Sequence, residues 1–354
     1  MSILSLKNNL KNALNVVDYV IWSICDIARK RKSNKIKRIL VVNLAFIGDV
    51  LATTPLIGAL SKNFKVDVIA LPSTAMLLQG NESINKTIIC KDYTGLKSIG
   101  RNNYYSAILI YPNDFRTIKC LINAGVKEII GFSSHKDIGS RSNLGKMLLN
   151  FDNRPKVMQN LSALKALAID AGKINPIDFR MNLTLSKEEI NNVSKKFKLR
   201  KGFVVLSSGS RSQKKLGIVF PDKEKFLSIA EYLSEVYNKD IIIVGAEEDS
   251  KFGEYIKTKF KFPGKIKNLT GKTNLRELGA ILKLSDLLIG VDSGTVHIAS
   301  TQNTKIIDLI RNSQAKIWSP WMKKERYKLL VSRGENLNNI KIKEIKGAIE
   351  EMLR

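Results

Sequence analysis

The sequence is poor in the residues that cross-link chains or hold metals. Its 354 residues include three cysteines, Cys25, Cys90 and Cys120, and two histidines. The cysteines form no CxxC pair and their number is odd, so we expect no disulfide framework and a cytoplasmic location. No aspartate lies two residues from another aspartate. Without a DxD motif or paired histidines, the chain offers no obvious ligand set, and we expect no bound metal.

Long apolar runs are also missing. Residues 3–28 place apolar side chains at spacings of three and four, which is typical of one helix face, but Asp18 and Asp26 interrupt it. The uninterrupted stretch is shorter than the ~20 residues that span a bilayer, and no signal-peptide cleavage site follows. Residues 29–38 carry seven basic side chains and no acidic one. This pattern predicts an amphipathic, basic segment over residues 1–35, which either lies in an anionic headgroup layer or packs on the domain beside a solvated charge run.

Acidic side chains are scarce relative to basic ones. The chain has 59 Lys and Arg against 32 Asp and Glu, a formal net charge of +27. Such a field favours an anionic partner, which charge alone does not identify: a nucleic acid, a membrane surface and a phosphorylated acceptor all fit. No recognition helix, zinc finger or RNP-type aromatic pattern is present, so we predict that nucleic acid is not the partner.

The chain is long enough for two domains. From residue 38, short apolar segments alternate with helical or turn-rich stretches, which predicts an α/β domain over residues 36–180. The alternation restarts at residue 203 and predicts a second α/β domain over residues 181–335. The last helical stretch, residues 336–354, is a candidate for a helix that returns to the first domain. Ligands are expected in a cleft at the carboxyl ends of the strands.

The first motif with chemical potential is NLAFIGDVLATTP, residues 43–55, directly after the first predicted strand. Gly48 allows a tight turn, and Asp49 falls at the start of a helix. A carboxylate at this position either caps its own helix or acts as a general base on a hydroxyl group.

The second motif is IGVDSGTVHIAS, residues 289–300, a strand followed by a turn and a helix that opens near Thr295. The amides at a helix start, together with the helix dipole, favour an anion such as a diphosphate. Asp292 suits sugar hydroxyls better than phosphate, although an Asp-Ser helix cap without a ligand fits as well. His297 is expected to pack in the protein interior and not to act as a catalyst. The backbone amides that would bind the anion are those of Ser293, Gly294 and Thr295.

The third motif is LSSGSRSQKKLGIVFP, residues 206–221, after the first strand of the second domain. Its small residues permit close backbone approach to a ligand, and its basic residues offer charge to a leaving diphosphate. The Walker pattern is absent, and a flexible surface loop is the alternative. The residues concerned are Ser207, Ser208, Gly209, Ser210, Arg211, Lys214 and Lys215.

The fourth motif is VGAEED, residues 244–249, at the end of another predicted strand. An acidic side chain here is able to accept hydrogen bonds from ribose hydroxyls, as in dinucleotide sites. A solvated acidic helix start explains the motif equally well.

Taken together and in this order, the four motifs resemble glycosyltransferase family 9, the heptosyltransferases of bacterial lipopolysaccharide. The resemblance covers about residues 36–325, and its most specific pieces are the strand-GD-helix-P opening and the D-S-G-x-x-H-x-A segment. It implies a GT-B fold, in which two Rossmann-like domains face each other across a cleft. The implied reaction is an inverting transfer from a nucleotide sugar, typically ADP-heptose, without a metal or cofactor. The implied acceptor is an anionic lipid-linked glycan, at the cytoplasmic face of the inner membrane.

The resemblance also implies roles for individual residues. The residue that matches the family's catalytic base is Asp49. The basic phosphate contact falls on Lys214 or Lys215, and the ribose-binding acid on Asp249, with Glu248 as the alternative. The sugar- and phosphate-binding segment matches Asp292, Ser293, Gly294, Thr295 and His297, with Ser207 and Gly209 beside it. The stretch YPNDFRT, residues 111–117, resembles the acceptor side and indicates Arg116 and Asn113 as acceptor-binding residues.

The sequence departs from the family pattern at three places. Ala52-Thr53 replaces the usual His-Thr, Phe220-Pro221 replaces a Trp-Pro pair and lies further from the lysine, and the usual Pro and Gly are missing around residues 304–311. These changes leave the donor sugar open. A non-catalytic relative that binds nucleotide or lipid in envelope glycan assembly is the alternative function, against which the retained Asp49 and Asp292 argue.

Overall fold

A computed structural model describes most of the chain outside its N-terminal segment. The described residues are 38–99, 104–112, 114–126, 128–133, 148–150, 153–167, 180–209 and 219–354. The amphipathic segment predicted over residues 1–35 lies outside them.

The first domain is built on a six-stranded parallel sheet in the order β3-β2-β1-β4-β5-β6. Its strands are β1 (Arg38–Asn43), β2 (Lys65–Ala70), β3 (Lys86–Ile89), β4 (Ser106–Tyr111), β5 (Glu128–Ser133) and β6 (Leu148–Asn150). The apolar run from Ile39 to Val42 is fully buried, because helices cover both faces of a parallel sheet and leave no polar side to its central strand.

The helices of the first domain position the residues that follow β1. They are α1 (Ile47–Ser61), α2 (Pro72–Ala75), α3 (Phe115–Asn123), α4 (Lys156–Leu161) and α5 (Ala163–Ala166), with 3-10 turns at Met76–Leu78 and Tyr93–Ser98. Helix α4 is held on α1 by Asn160, whose side-chain amide donates to the Ala52 carbonyl oxygen at 3.0 Å. The first turn of α4 therefore lies against the first turns of α1.

The second domain repeats the arrangement with the order β12-β11-β10-β7-β8-β9, again all parallel. Its strands are β7 (Val204–Ser207), β8 (Ile241–Val244), β9 (Ile266–Asn268), β10 (Leu287–Val291), β11 (Lys305–Arg311) and β12 (Tyr327–Ser332). Counted within each domain, both sheets have the order 3-2-1-4-5-6, the Rossmann order. The structure thus confirms two Rossmann-like domains.

Within residues 180–209 and 219–354, seven helices surround the second sheet. They are α6 (Lys187–Phe197), α7 (Lys223–Val236), α8 (Ser250–Lys259), α9 (Leu275–Leu284), α10 (Gly294–Gln302), α11 (Asn312–Trp318) and α12 (Ile342–Leu353), with 3-10 turns at Glu247–Asp249, Pro263–Lys265, Lys324–Arg326 and Leu337–Asn339. The C-terminal helix does not return to the first domain, contrary to that expectation for residues 336–354. Ile345 and Ile349 of α12 are buried in the core of the second domain, where Phe226 also lies.

The two domains are in direct contact. Arg276 of α9 donates from Nη1 to the backbone oxygens of Met76 and Gln79 in the first domain, both at 3.1 Å. One buried apolar cluster includes Leu56 of α1 and Val296 of α10. The carboxyl ends of β1, β4, β7 and β10, where the strand order of each sheet reverses, are the places at which open α/β sheets bind ligands.

Candidate active site

The starts of α1 and α10 meet across the two domains. A Cβ atom added to Gly48 would lie 2.7 Å from Cδ2 of His297, and one added to Gly294 would lie 2.8 Å from Cδ1 of Ile47. Real Cβ atoms do not approach so closely, so a glycine is needed on each helix for the two helix starts to touch. The GD and DSG motifs, which lie far apart in the sequence, are therefore brought together in the fold.

Asp49 is the third residue of α1 and does not occupy its N-cap. The N-cap residue is Phe46, which makes no side-chain capping bond. The Asp49 carboxylate instead faces Lys156 at the start of α4, with Oδ1 3.7 Å from Nζ, and the side chain keeps 19 % of its exposure. Burial raises the pKa of Asp49, and the Lys156 ammonium group opposes that rise. A mostly buried carboxylate with a raised pKa suits a proton acceptor.

The local sequence fixes the turn between β1 and Asp49. The side-chain amide of Asn43 donates to the Asp49 carbonyl oxygen at 3.1 Å, and the Thr53 hydroxyl donates to the same oxygen at 2.7 Å. These bonds tie the first turn of α1 to the end of β1, so the position of Asp49 is set by backbone contacts that do not involve its carboxylate.

His297 is packed, as expected from the sequence. Its ring is 6 % exposed and lies against Trp318 of α11, with ring centroids 5.3 Å apart. Burial lowers the pKa of His297 to about 4, so the ring is neutral at pH 7. Its Nε2 atom is 3.9 Å from Oδ1 of Asp292, a contact that is consequently not an ion pair at neutral pH.

The start of α10 offers backbone amides that have no acceptor within their own helix. The helix begins at Gly294, one residue before the predicted position, and the first amides of a helix have no acceptor within it. Ser293 occupies the N-cap but makes no capping bond, and its Oγ atom has no partner among the described residues although the side chain is 92 % buried. The Ser293 hydroxyl group therefore does not cap the helix, contrary to the interpretation of Asp292-Ser293 as a helix cap without a ligand. An amide-rich, dipole-positive position of this kind suits a phosphate.

Neighbouring loops lie next to this helix start. The Ser207 hydroxyl, at the end of β7, is 3.5 Å from the Thr295 hydroxyl. Gly209 has a φ of +129°, and a Cβ atom there would lie 2.2 Å from the Phe220 ring. The Phe220 ring, near the end of the third motif, thus packs against Gly209 near its beginning. Lys214 and Lys215 lie outside the described residues, as do Ser210 and Arg211.

The acidic motif after β8 contains one buried carboxylate, Asp249, and two exposed ones, Glu247 and Glu248. Asp249 is 5 % exposed, and its two oxygens accept hydrogen bonds from the Ala246 amide (2.9 Å) and the Ser208 hydroxyl (3.1 Å). Glu248 is exposed. Asp249 thus links the loops after β7 and β8, while Glu248 has the more accessible carboxylate.

The acceptor-side stretch lies at the end of β4, next to β1. The Leu44 amide donates to the Tyr111 carbonyl oxygen at 2.7 Å, so the loop before α1 leaves the sheet beside Tyr111. Phe46 and Tyr111 are 70 % and 52 % exposed. Arg116 of α3 is exposed and its guanidinium group lies 5.8 Å from the centre of the Tyr93 ring. Asn113 lies outside the described residues.

Sequence reasoning missed two groups at the site that have no local signature, Lys156 and Trp318. It also missed Asp308 on β11, which is fully buried and pairs in register with Gly290, two residues before Asp292. Neither carboxyl oxygen of Asp308 has a partner among the described residues. Burial and the nearby Asp292 raise its pKa well above the ordinary value. A lone aspartate inside an apolar strand was the signal that could have found it.

Within the described part of the chain, no three His, Cys, Asp or Glu side chains converge as a metal site would require. The helices of that same part are each too short or too polar to cross a membrane.

The fold is that of the GT-B class, and the start of α1, which carries Asp49 in the first domain, lies against the start of α10 in the second. The family model of glycosyltransferase family 9 (heptosyltransferase) matches residues 96–346, more than half of the chain, and the chain belongs to this family. Both the family and the enzyme class predicted from the motifs are confirmed.

Individual proteins support the same assignment. Lipopolysaccharide heptosyltransferase 3 of Escherichia coli is 25 % identical over 301 residues, which cover 78 % of this chain and 84 % of that protein. The crystal structure of a family 9 glycosyl transferase from Veillonella parvula DSM 2008 has a TM-score of 0.75 at 19 % identity and covers 90 % of this chain and 97 % of its own. The structure of E. coli ADP-heptose lps heptosyltransferase II has a TM-score of 0.72 at 18 % identity, with coverages of 89 % and 98 %. These structures confirm the GT-B fold.

Proposed function

We propose that the protein transfers a heptose from ADP-heptose to a lipopolysaccharide core or related lipid-linked acceptor, by one inverting displacement without a metal. The observation that carries this proposal is the contact between the two helix starts, where Gly48, next to Asp49, meets His297 and the buried Ser293 hydroxyl has no partner among the described residues. The donor is suggested by the similar E. coli enzyme whose name includes ADP-heptose. The acceptor is suggested by the lipopolysaccharide heptosyltransferase relative.

The donor diphosphate binds at the start of α10 in this proposal. The amides of Gly294 and Thr295 and the unpartnered Ser293 hydroxyl supply hydrogen bonds, and the helix dipole favours the negative charge. Asp292 accepts hydrogen bonds from sugar hydroxyls. We assign the ribose to Glu248 rather than to Asp249, because Glu248 is exposed whereas Asp249 is 5 % exposed and its oxygens accept hydrogen bonds within the protein. Lys214 and Lys215 are proposed to stabilise the leaving diphosphate as its charge develops.

Asp49 is the proposed general base. It takes the proton of an acceptor hydroxyl while that oxygen attacks the anomeric carbon, and the bond to the nucleoside diphosphate breaks on the opposite face. One displacement inverts the anomeric configuration. General-base help of this kind typically contributes ~10²- to 10⁴-fold.

The acceptor binds at the carboxyl ends of β1 and β4 in this proposal. Arg116 is exposed at the start of α3 and suits an anionic group of the glycan. Phe46, at the N-cap of the helix that carries Asp49, and Tyr111, at the end of β4, have exposed rings and are proposed as further acceptor contacts. Asn113 is proposed as a further acceptor contact from the sequence motif.

Residues 1–35 are proposed to hold the enzyme on the cytoplasmic face of the inner membrane, because an apolar helix face followed by a basic cluster suits anionic headgroups. Deleting them should release the protein from anionic vesicles and preserve transfer to a delipidated acceptor. High salt should weaken vesicle binding of the full chain, since exposed charges are screened within about 8–10 Å. A full chain that never binds vesicles, with a truncated form that aggregates, would instead make the segment a structural helix.

The direct test of function is transfer by the purified full chain. The protein is incubated with ADP-heptose, or with UDP-glucose as a mismatched donor, and a heptose-deficient lipopolysaccharide core, and products are identified by mass spectrometry. We expect one added heptose per ADP released and no addition from UDP-glucose. Donor binding without transfer or ADP release would favour the non-catalytic alternative, and tight binding to random DNA would contradict the predicted lack of a nucleic-acid partner.

A further inference from the structure

We propose that Lys156 is a positioning residue for Asp49: its ammonium group keeps the carboxylate ionised, and Trp318 of the second domain borders the lysine in that position. The inference rests on the proposed role of Asp49 as the base. No motif places Lys156 at the site, because it reaches Asp49 only through the packing of α4 on α1.

The contact is shielded on both sides. Nζ of Lys156 lies 3.7 Å from Oδ1 of Asp49, and the two side chains are 12 % and 19 % exposed. A lysine this deeply buried is unfavourable unless an opposite charge compensates it. Lys156 is also the first residue of α4, and a cation at a helix N-terminus is disfavoured by the helix dipole. The placement therefore does not stabilise its own helix, and the partner that compensates the charge is Asp49.

The second domain completes the surroundings of the lysine. Nζ of Lys156 is 6.0 Å from the centre of the Trp318 ring, within the range of a cation–π contact. The same ring lies 3.3 Å from the position that a Cβ atom on Gly48 would take. Lys156 thus has the carboxylate of its own domain on one side and an aromatic ring of the other domain nearby, so its position depends on both domains.

Among the described residues, the charged and titratable groups near Asp49 come from α4 and from the α10 side of the contact. Lys156 faces it from α4. From α10 the neutral His297 ring lies against the adjacent Gly48, and Asp292 lies behind that ring, with Oδ1 3.9 Å from Nε2. From α11 the facing group is the uncharged Trp318. Among the described residues, Lys156 therefore supplies the positive charge that opposes the effect of burial on Asp49.

The first test measures the ionisation of Asp49 without substrate. The full-length wild-type protein and its variants are labelled with ¹³C at the aspartate carboxyl groups and titrated by NMR, with Asp49→Asn to assign the signal. Lys156→Met should raise the titration midpoint by about one pH unit or more, since an opposite charge within ~4–6 Å lowers a carboxyl pKa by about that amount. Lys156→Arg should restore the midpoint toward the wild-type value, because it returns the charge.

A matched control removes a similar charge elsewhere. Lys165 is an exposed lysine of α5, a few residues from Lys156. Lys165→Met should leave the Asp49 midpoint unchanged. If Lys156→Met fails to fold, Lys156→Gln replaces it with a polar side chain of similar reach. A midpoint that neither Lys156→Met nor Lys156→Gln moves would overturn the inference.

The second test follows turnover against pH. The base must be ionised, so kcat falls as pH drops below the pKa of Asp49, and the acidic limb of the Lys156→Met profile should move to higher pH. Its kcat should recover toward the wild-type value at alkaline pH with the donor KM unchanged, which a merely structural defect would not produce. An unmoved limb, with Asp49→Asn inactive, would overturn only the role of Lys156. Normal turnover by Asp49→Asn would overturn the proposed base itself.

Discussion

The starts of α1 and α10 are alike in geometry and opposite in electrostatics. Each follows a central strand at the point where the strand order of its sheet reverses, and each needs a glycine to touch the other. At α1, Asp49 faces a lysine at 3.7 Å. At α10, Asp292 has as neighbours a neutral histidine and the buried carboxyl group of Asp308.

The comparison teaches that topology fixes where the two carboxylates lie, while their neighbours decide what each does. A carboxylate beside a cation stays ionised and suits proton abstraction. A helix start whose first amides have no acceptor within the helix suits a phosphate. In the proposed mechanism, the same Rossmann order supplies an acid–base group on one domain and a donor-binding site on the other.

Removing the base should have the largest effect. Asp49→Asn keeps the shape of the side chain but cannot take a proton, so we expect turnover to fall by ~10²- to 10⁴-fold. Steady-state transfer measured by release of ADP checks this, with thermal unfolding as a control for folding. Near-normal turnover on the acceptor would mean that the α1 start is not the acid–base side of the site.

Separating the two helix starts should have the next largest effect. A methyl group in Gly48→Ala would lie 2.7 Å from the His297 ring, so we expect turnover to fall at least ten-fold and the free energy of unfolding by about 1–3 kcal/mol. Gly58 lies on the same helix, and its added methyl group would meet only Ser83 Oγ at 3.9 Å.

Gly58→Ala is therefore the matched control for Gly48→Ala. It should preserve turnover and stabilise the helix by up to ~1 kcal/mol. Equal behaviour of the two variants in transfer assays and thermal unfolding would contradict the close contact between α1 and α10.

On the α10 side, the buried Asp308 should make the stability of the protein depend on pH. The pKa of Asp308 is raised in the folded protein, so the folded state binds more protons than the unfolded state between the ordinary value near 3.8 and the raised value. Stability therefore falls as pH rises through that window. Asp308→Asn removes the ionisable group and should raise the free energy of unfolding at pH 7 by about 1–3 kcal/mol.

Chemical denaturation at pH 5 and pH 7 checks this expectation. The stability difference between Asp308→Asn and the wild-type protein should be larger at pH 7. A variant that is less stable at pH 7 would mean that the Asp308 carboxylate is compensated in the folded protein.

Chelation should have no effect. The basic and amide groups proposed for the diphosphate replace a divalent ion, so transfer should be the same with and without excess EDTA. Activity that is lost on chelation and restored by magnesium or manganese would contradict the metal-free mechanism.

The sequence predicted those parts of the site that local chemistry determines. The GD and DSG turns each join an apolar strand to a helix, and their residues specify that turn without help from elsewhere. The two α/β domains followed from the alternation of apolar and helical segments, whereas the short strands β6 and β12 were missed because three to six residues of mixed polarity give little periodic signal.

The remaining features arise from packing between distant segments. Lys156 meets Asp49, and Trp318 meets His297, only after separate helices dock, which no spacing in the chain encodes. The C-terminal helix was placed on the wrong domain for the same reason. Its apolar face predicts burial, but the sequence does not say against which sheet.

The most direct test of the division between the two helix starts is calorimetric titration of ADP-heptose into Asp49→Asn and Asp292→Asn, with ADP alone as the control ligand. We expect Asp49→Asn to bind the donor as the wild-type protein does. Asp292→Asn should bind it about ten- to a hundred-fold more weakly, because hydrogen bonds from sugar hydroxyls to a charged group are lost, while its affinity for ADP should be unchanged. Weakened donor binding by Asp49→Asn together with normal binding by Asp292→Asn would contradict the account.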